Sequence, residues 1–378
     1  MSASEDLRNF FDLSQDSPWL NAGAPHAGPG APFSQSPIFA GTYHLSGDTA
    51  GVADTYGRHD NPTWRALEDC LGALEGGEAV VFPSGMAAAC AAILPFVKAG
   101  ETVLLPSDGY YTVRMLLEDF LAPLGVSARY YETARIDDVD FADVRLVWIE
   151  SPTNPQLDMC DIAKVVPRAH AAGAMVVCDN TTMTPLGQRC LALGADLVMA
   201  SDTKAVNGHS DTLMGHVAGR DAETMARVRG WRKIGGAIPG PMESWLVLRG
   251  LQTLEVRFQR MCENARAVAE LGAEHEAIST VRYPGLKGDP SYELAHQGLS
   301  LMGSMVTFIF AGDAQAKGFL KHLSLVHEAT SFGGTHSMAE QRVRWDKTNH
   351  PGLVRFSAGC EPTESLVADV RRALDAVV

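Results

Sequence analysis

Apolar positions along the chain fall into short continuous runs separated by amphipathic stretches. The runs Ala79–Phe82, Thr102–Leu105, Arg145–Ile149, Ala174–Cys178 and Leu197–Ala200 read as buried strands. Between them, Met86–Val97, Val113–Leu124 and Ile162–Ala172 carry helical spacing, and Trp64, Leu67, Leu71 and Leu74 mark a further helix before the first strand. Near-continuously apolar strands alternating with helices predict an α/β fold whose mostly parallel sheet is covered on both faces. The character changes after Pro239-Gly240-Pro241. A helical stretch over 242–272 leads into more widely spaced strands at Met305–Phe310 and Val354–Ser357, then a final helix over 364–377. Residues 1–55, rich in Gly, Pro, Ala and Ser, have weak periodicity, as in an extended arm. The expected organisation is an arm over 1–55, a large domain over 56–240 and a smaller α+β domain over 241–378.

Bulk properties narrow the function classes. The chain has 378 residues, 46% hydrophobic and 20% charged, which suits a globular protein with a sizeable core. A net charge of −14 argues against nucleic acid or an anionic membrane as partner, while leaving room for a local anion site. The seven cysteines are odd in number and none has CxxC spacing, so reduced thiols are expected rather than a disulfide framework or a metal site. The first residues, MSASEDLRNFFDLSQDSPW, lack a basic-then-apolar signal pattern, and no apolar run reaches membrane-spanning length. A cytoplasmic protein is expected.

The candidate chemistry collects at strand ends. Lys204 follows the strand Leu197–Ala200 and is flanked by Ser201 and Thr203. Ligands of open α/β sheets gather beyond the carboxyl ends of strands, and an amine held there can form a Schiff base while nearby hydroxyls grip a phosphate. Asp179 ends the preceding strand, where a carboxylate can pair with a pyridine nitrogen. Ser84-Gly85-Met86 opens an Ala-rich helix, whose N-terminus favours phosphate. Tyr56 and Arg58 precede the helix entry Asn61-Pro62-Thr63, and Asn154 lies in the loop Glu150-Ser151-Pro152-Thr153-Asn154-Pro155.

These segments resemble the pyridoxal-phosphate (PLP) enzymes of cysteine and methionine metabolism, a fold type I family. The carriers are Tyr56-x-Arg58-x-x-Asn61-Pro62-Thr63, Ser84-Gly85-Met86, Glu150-x-Pro152-x-Asn154-Pro155, Asp179-Asn180-Thr181 and, most specific, Ser201-x-Thr203-Lys204-x-x-x-Gly208-His209-x-Asp211. Pro241-Met242-Glu243-Ser244-Trp245-Leu246 extends the likeness into the second domain. The resemblance implies that Lys204 holds the cofactor, Asp179 pairs with its ring nitrogen and Asn154 touches its ring hydroxyl. It implies that Gly85, Met86, Ser201 and Thr203 bind the phosphate and that Tyr110 stacks on the ring. Tyr56 and Arg58 would reach into a neighbouring subunit's site, giving a homodimer with shared active sites inside a homotetramer. Arg355 and Ser331 would meet the α-carboxylate of a small amino-acid substrate.

Departures from the family pattern bear on the reaction. The tyrosine loop reads Tyr110-Tyr111-Thr112, apparently one residue short, with Arg114 as the cation for a distal substrate group. No cysteine occurs between Cys90 and Cys160, which speaks against a methionine γ-lyase. The loop Gly333-Gly334-Thr335-His336-Ser337 carries His336 where a glutamate is common, a form similar to the actinobacterial cystathionine γ-lyase branch. The expected activity is therefore γ-elimination of L-cystathionine in trans-sulfuration, with Lys204 as base and Tyr110 as acid for the departing sulfur. γ-Replacement on an O-acylhomoserine and β-elimination remain open alternatives. A nucleotide-binding dehydrogenase would need a Gly-x-Gly-x-x-Gly turn, which the first strands lack.

Overall fold

Asn61 starts the first helix of the sheet domain. Its side chain accepts the Thr63 N–H at 2.8 Å, and Pro62 stands at the first helical position, where a missing N–H costs nothing. In this computed structural model, which describes residues 19–20, 23–25 and 28–378, that helix is α1 (Pro62–Glu75). Of the arm expected over 1–55, residues 1–18, 21–22 and 26–27 lie outside the described residues. Trp64, Leu67, Leu71 and Leu74 of α1 are buried in the core, as their helical spacing predicts.

Seven strands follow in one sheet: β1 (Glu78–Phe82), β2 (Thr102–Pro106), β3 (Ser127–Tyr131), β4 (Val144–Glu150), β5 (Met175–Asp179), β6 (Leu197–Ala200) and β7 (Gly215–Gly219). Their order is β1-β7-β6-β5-β4-β2-β3. β7 runs antiparallel to both β1 and β6, and the remaining pairs are parallel. The carboxyl ends of β1, β2, β4, β5 and β6 therefore share one edge. Helices α2 (Gly85–Ile93), α3 (Tyr111–Met115), α4 (Ile162–Ala171) and α5 (Ala222–Gly235) pack around the sheet, whose two faces bury separate apolar clusters.

A second sheet has five strands: β8 (Thr280–Arg282), β9 (Met305–Ile309), β10 (His327–Glu328), β11 (Met338–Gln341) and β12 (Leu353–Ser357), in the order β10-β11-β12-β9-β8. All its pairs are antiparallel except β10 with β11. Phe308 packs its ring against Phe319 and Phe356 at 5.9 and 6.0 Å, centring a core closed by helices before and after the sheet.

Four segments differ from the sequence expectation. The helix expected over Val113–Leu124 is α-helical only through Met115, then continues as a π-helical turn, Leu116–Leu121, and a 3-10 turn, Ala122–Leu124. Pro123 has no N–H to donate, so the regular ladder cannot run through it. The stretch over 242–272 is two helices, α6 (Pro241–Leu251) and α7 (Leu254–Ala273). The Gly250 carbonyl at the break is taken by Thr253 Oγ1 at 3.2 Å and Arg257 Nη2 at 2.8 Å. β3 and β7 were not anticipated: β3 is a largely exposed edge strand, and β7 reads Gly-His-Val-Ala-Gly.

Candidate active site

A cavity of about 490 Å³ opens at the carboxyl edge of the large sheet. Its wall combines the loops after β1, β4, β5 and β6 with the segment Thr330–Phe332 and the residues Glu340, Arg342 and Arg355 from the second sheet and the turn after β11.

Lys204 sits on a loop held from three sides. Thr203 exchanges hydrogen bonds with Met214, its N–H donating at 3.1 Å and its Oγ1 accepting the Met214 N–H at 3.0 Å. From α7, the Arg257 guanidinium donates to the Ala205, Val206 and Gly250 carbonyls at 2.8, 3.2 and 2.8 Å. Gly208 has φ +75°, and a Cβ there would lie 1.8 Å from Arg257 Nη1, so glycine is required. The Lys204 ammonium donates to Ser331 Oγ at 2.7 Å and lies 5.1 Å from the Phe332 ring centroid. Burial, then the nearby Arg355 guanidinium, lower its pKa to about 8.

Beneath this loop lies a fully buried ion triad. His216 of β7 meets Asp202 Oδ1 through Nδ1 at 2.7 Å and Glu75 Oε1 through Nε2 at 3.2 Å. Burial alone would lower the imidazole pKa, but the two carboxylates outweigh it and raise the pKa to about 10. His216 thus ties Asp202, between Ser201 and Thr203, to the end of α1. The folded pKa exceeds the usual 6.5, so this stabilisation is complete below about pH 6.5 and fades as pH rises through about 10. His216→Leu removes the cation that two buried carboxylates share and is expected to cost about 3–5 kcal/mol. Urea unfolding should show a stability gap between wild type and variant that narrows from about pH 6 to about pH 10; a gap independent of pH would refute the buried imidazolium.

Asp179 and Glu150 stand side by side at the ends of β5 and β4, as register partners. Thr181 donates to Asp179 Oδ1 from its N–H at 3.0 Å and its hydroxyl at 2.5 Å. Burial still raises the Asp179 pKa against these bonds. Glu150 accepts the N–H groups of Tyr110 at 2.6 Å and Asn154 at 2.7 Å, fixing both loops. Burial and then the Asp179 charge push its pKa well above the carboxylate range. Asp179 is therefore a buried carboxylate that the protonated ring nitrogen of PLP would stabilise.

A phosphate would also find its partners. Ser84 caps α2 by accepting the Ala87 N–H at 3.1 Å. Among the described residues, the Gly85 and Met86 N–H groups ahead of it donate to no protein acceptor. A Cβ on Gly85 would lie 2.6 Å from Ser201 Cβ, so only glycine lets the helix start approach the Lys204 loop. Free amides at a helix N-terminus beside Ser201 and Thr203 form a cradle that fits a phosphate. The residues present thus fit PLP at both its ends.

The structure brings Lys204, Asp179, Asn154, Gly85, Met86, Ser201, Thr203, Tyr110, Ser331 and Arg355 to this one cavity. Arg355 donates to Asn154 Oδ1 at 3.0 Å and to the Ser331 carbonyl at 2.6 Å. Tyr110 packs edge-on against Tyr111, with centroids 5.4 Å apart. Four expected residues lie elsewhere. Arg114 is drawn away by Asp346 at 2.9 Å and the Gly109 carbonyl at 2.8 Å, and borders a separate cavity of about 350 Å³. His336 is exposed, 6.1 Å from the His327 ring, because Ser337 beside it is anchored the other way by Glu361. Tyr56 and Arg58 lie outside the cavity, with Arg58 donating to the Lys233 carbonyl at 2.6 Å.

Sequence reasoning missed Glu340, Arg342 and Trp345 in the wall, and the buttressing role of Glu150. Glu340 had a signal, an acid in an otherwise buried strand, but β11 is too short to be legible by alternation.

Known proteins resemble this chain over most of its length. The profile of the family described as Cys/Met metabolism PLP-dependent enzyme matches residues 31–375. A provisionally named cystathionine gamma-lyase from Streptomyces coelicolor is 47% identical over 363 residues, covering 94% of this chain and 92% of that protein. The L-methionine gamma-lyase of Pseudomonas putida is 36% identical, covering 92% and 91%. The crystal structure of cystathionine gamma synthase from Xanthomonas oryzae, in complex with aminoacrylate and cysteine, superposes with a TM-score of 0.91 at 30% identity, over 95% of this chain and 97% of that one.

Proposed function

The chain belongs to the Cys/Met metabolism PLP-dependent enzyme family, and on that premise we propose that it cleaves L-cystathionine by γ-elimination to cysteine, 2-oxobutanoate and ammonia, consuming one water. The observation that carries this reading is the Lys204 amine, hydrogen-bonded to Ser331 next to the Arg355 guanidinium. A base is thereby held beside the group suited to a substrate α-carboxylate, where the Cα proton would lie. Similarity to the Streptomyces coelicolor protein favours γ-elimination over its alternatives.

PLP, when bound, supplies the electron sink for the pair left at Cα. The chain's own residues do the rest. Arg355 forks onto the α-carboxylate and fixes the orientation of Cα. Lys204 Nζ takes the Cα proton and carries protons between neighbouring carbons, a task suited to an amine titrating near neutrality. Tyr110 gives its hydroxyl proton to the departing sulfur. Asp179 would keep the ring nitrogen protonated, Asn154 would meet the ring hydroxyl, and Gly85, Met86, Ser201 and Thr203 would hold the phosphate. We further propose a homodimer of shared sites within a tetramer; the place of Tyr56 and Arg58 outside the lining of their own cavity suits the shared sites. We also divide the chain into an arm over 1–55, a cofactor domain over 56–240 and a carboxyl-terminal domain over 241–378.

Steady-state assays with L-cystathionine, and with an O-acylhomoserine plus cysteine, test the reading. Release of 2-oxobutanoate from cystathionine is expected. Pyruvate instead would indicate β-elimination, and cystathionine synthesis with little keto acid would indicate γ-replacement; either result overturns the proposal.

A further inference from the structure

Resting on the reading of this cavity as a PLP-dependent amino-acid site, we propose that Arg342 selects substrates whose side chain carries a second anionic group. Arg114, the cation expected for that task, is engaged by Asp346 and borders another cavity. Arg342 instead stands in the wall of the Lys204 cavity, at the start of the 3-10 turn Arg342–Arg344 that follows β11.

The hydrogen-bond inventory sets Arg342 apart from Arg355. Arg355 has three acceptors on its two terminal nitrogens, Asn154 Oδ1, the Ser331 carbonyl and Glu340, and keeps donors for an α-carboxylate. Arg342 is equally enclosed, its side chain 6% exposed, yet its guanidinium makes one side-chain hydrogen bond, from Nη1 to Glu340 Oε1 at 2.7 Å. Its Nε–H is buried and has no acceptor. Glu340 also accepts the Trp345 indole N–H at 2.9 Å, so a single carboxylate serves two guanidiniums and an indole. Positive charge is thus in excess on this wall, and it resides on the arginine with unused donors.

A buried guanidinium with unmet donors is unfavourable until an acceptor arrives, and a carboxylate is the acceptor whose geometry matches its fork. With Arg355 taking the α-carboxylate, an amino acid ending in a second carboxylate satisfies both cations. An apolar side chain leaves Arg342 unmet and further desolvated, so it is disfavoured as well as unrewarded.

Binding of glutarate and of valerate, a dicarboxylate and a monocarboxylate of equal length, to the PLP-loaded enzyme tests this by isothermal titration calorimetry. Wild type is expected to bind glutarate at least about tenfold more tightly than valerate. Arg342→Gln should erase that preference while changing valerate affinity less than about threefold, and Arg342→Lys, which keeps the charge but loses the fork, should fall between. Equal binding of the two acids by wild type, a preference surviving in Arg342→Gln, or equal weakening of both acids would overturn the proposal. Should Arg342→Gln fail to fold, the wild-type preference and its reduction in Arg342→Lys decide the question. The binding ratio does not depend on which bond the enzyme breaks. Failure here is therefore distinct from failure to release 2-oxobutanoate.

Discussion

Lys204→Ala is expected to abolish covalent retention of PLP and to lower kcat by about 10⁴-fold or more, since one side chain supplies both the attachment point and the proton carrier. The amine is prepared for both roles. Burial and the Arg355 guanidinium bring its pKa to about 8, so a useful fraction is neutral and nucleophilic near pH 7 while the protonated form stays accessible. Covalent loading of apoenzyme should therefore accelerate as pH rises through about 8. Borohydride reduction followed by peptide mass mapping checks the attachment: wild type should carry the reduced adduct on Lys204, and the variant should carry none. Partial restoration of turnover by a small added amine would separate loss of the amine from loss of the fold. A reducible adduct persisting in the variant would refute the assignment.

The parts of this site that are legible in sequence are glycines where no side chain fits and groups that follow apolar runs. Gly85 and Gly208 are glycines because Ser201 and Arg257 occupy the space a Cβ would need. Asp179 and Lys204 stand just beyond apolar runs that can only be central strands, so their common sheet edge follows from topology. What stayed hidden depends on long-range pairing. Arg114 lies four residues after Tyr110, but the partner that draws it off, Asp346, is 232 residues away. His216 carries no local signal, because its partners, Asp202 and Glu75, come from other elements. The triad that makes β7 a strand worth burying is invisible to any window of local periodicity. Arg342 and Glu340 escaped for a related reason: a four-residue strand followed by a 3-10 turn has no period long enough to reveal which way it faces.

Asp179→Asn should separate the demands of the cofactor from those of the fold. Asp179 is buried beside Glu150, its two hydrogen bonds from Thr181 both reach Oδ1, and burial nevertheless raises its pKa. For an acid, a folded pKa above the unfolded value means that ionisation costs stability, a cost that grows as pH rises from the unfolded value and is complete above the folded one. Without PLP the carboxylate is thus a burden at neutral pH, and apo Asp179→Asn is expected to unfold no more easily than apo wild type. With PLP the sign reverses. A carboxylate stabilises a protonated ring nitrogen, whereas an amide has no charge with which to do so, and the electron sink weakens. The variant should lose about 10²–10³ in kcat and gain less thermal stability on adding PLP than wild type does. Thermal unfolding with and without PLP, alongside kcat, reads both effects. An apo variant markedly less stable than apo wild type would make Asp179 a structural carboxylate, because a group retained for the fold must stabilise the protein before the cofactor arrives.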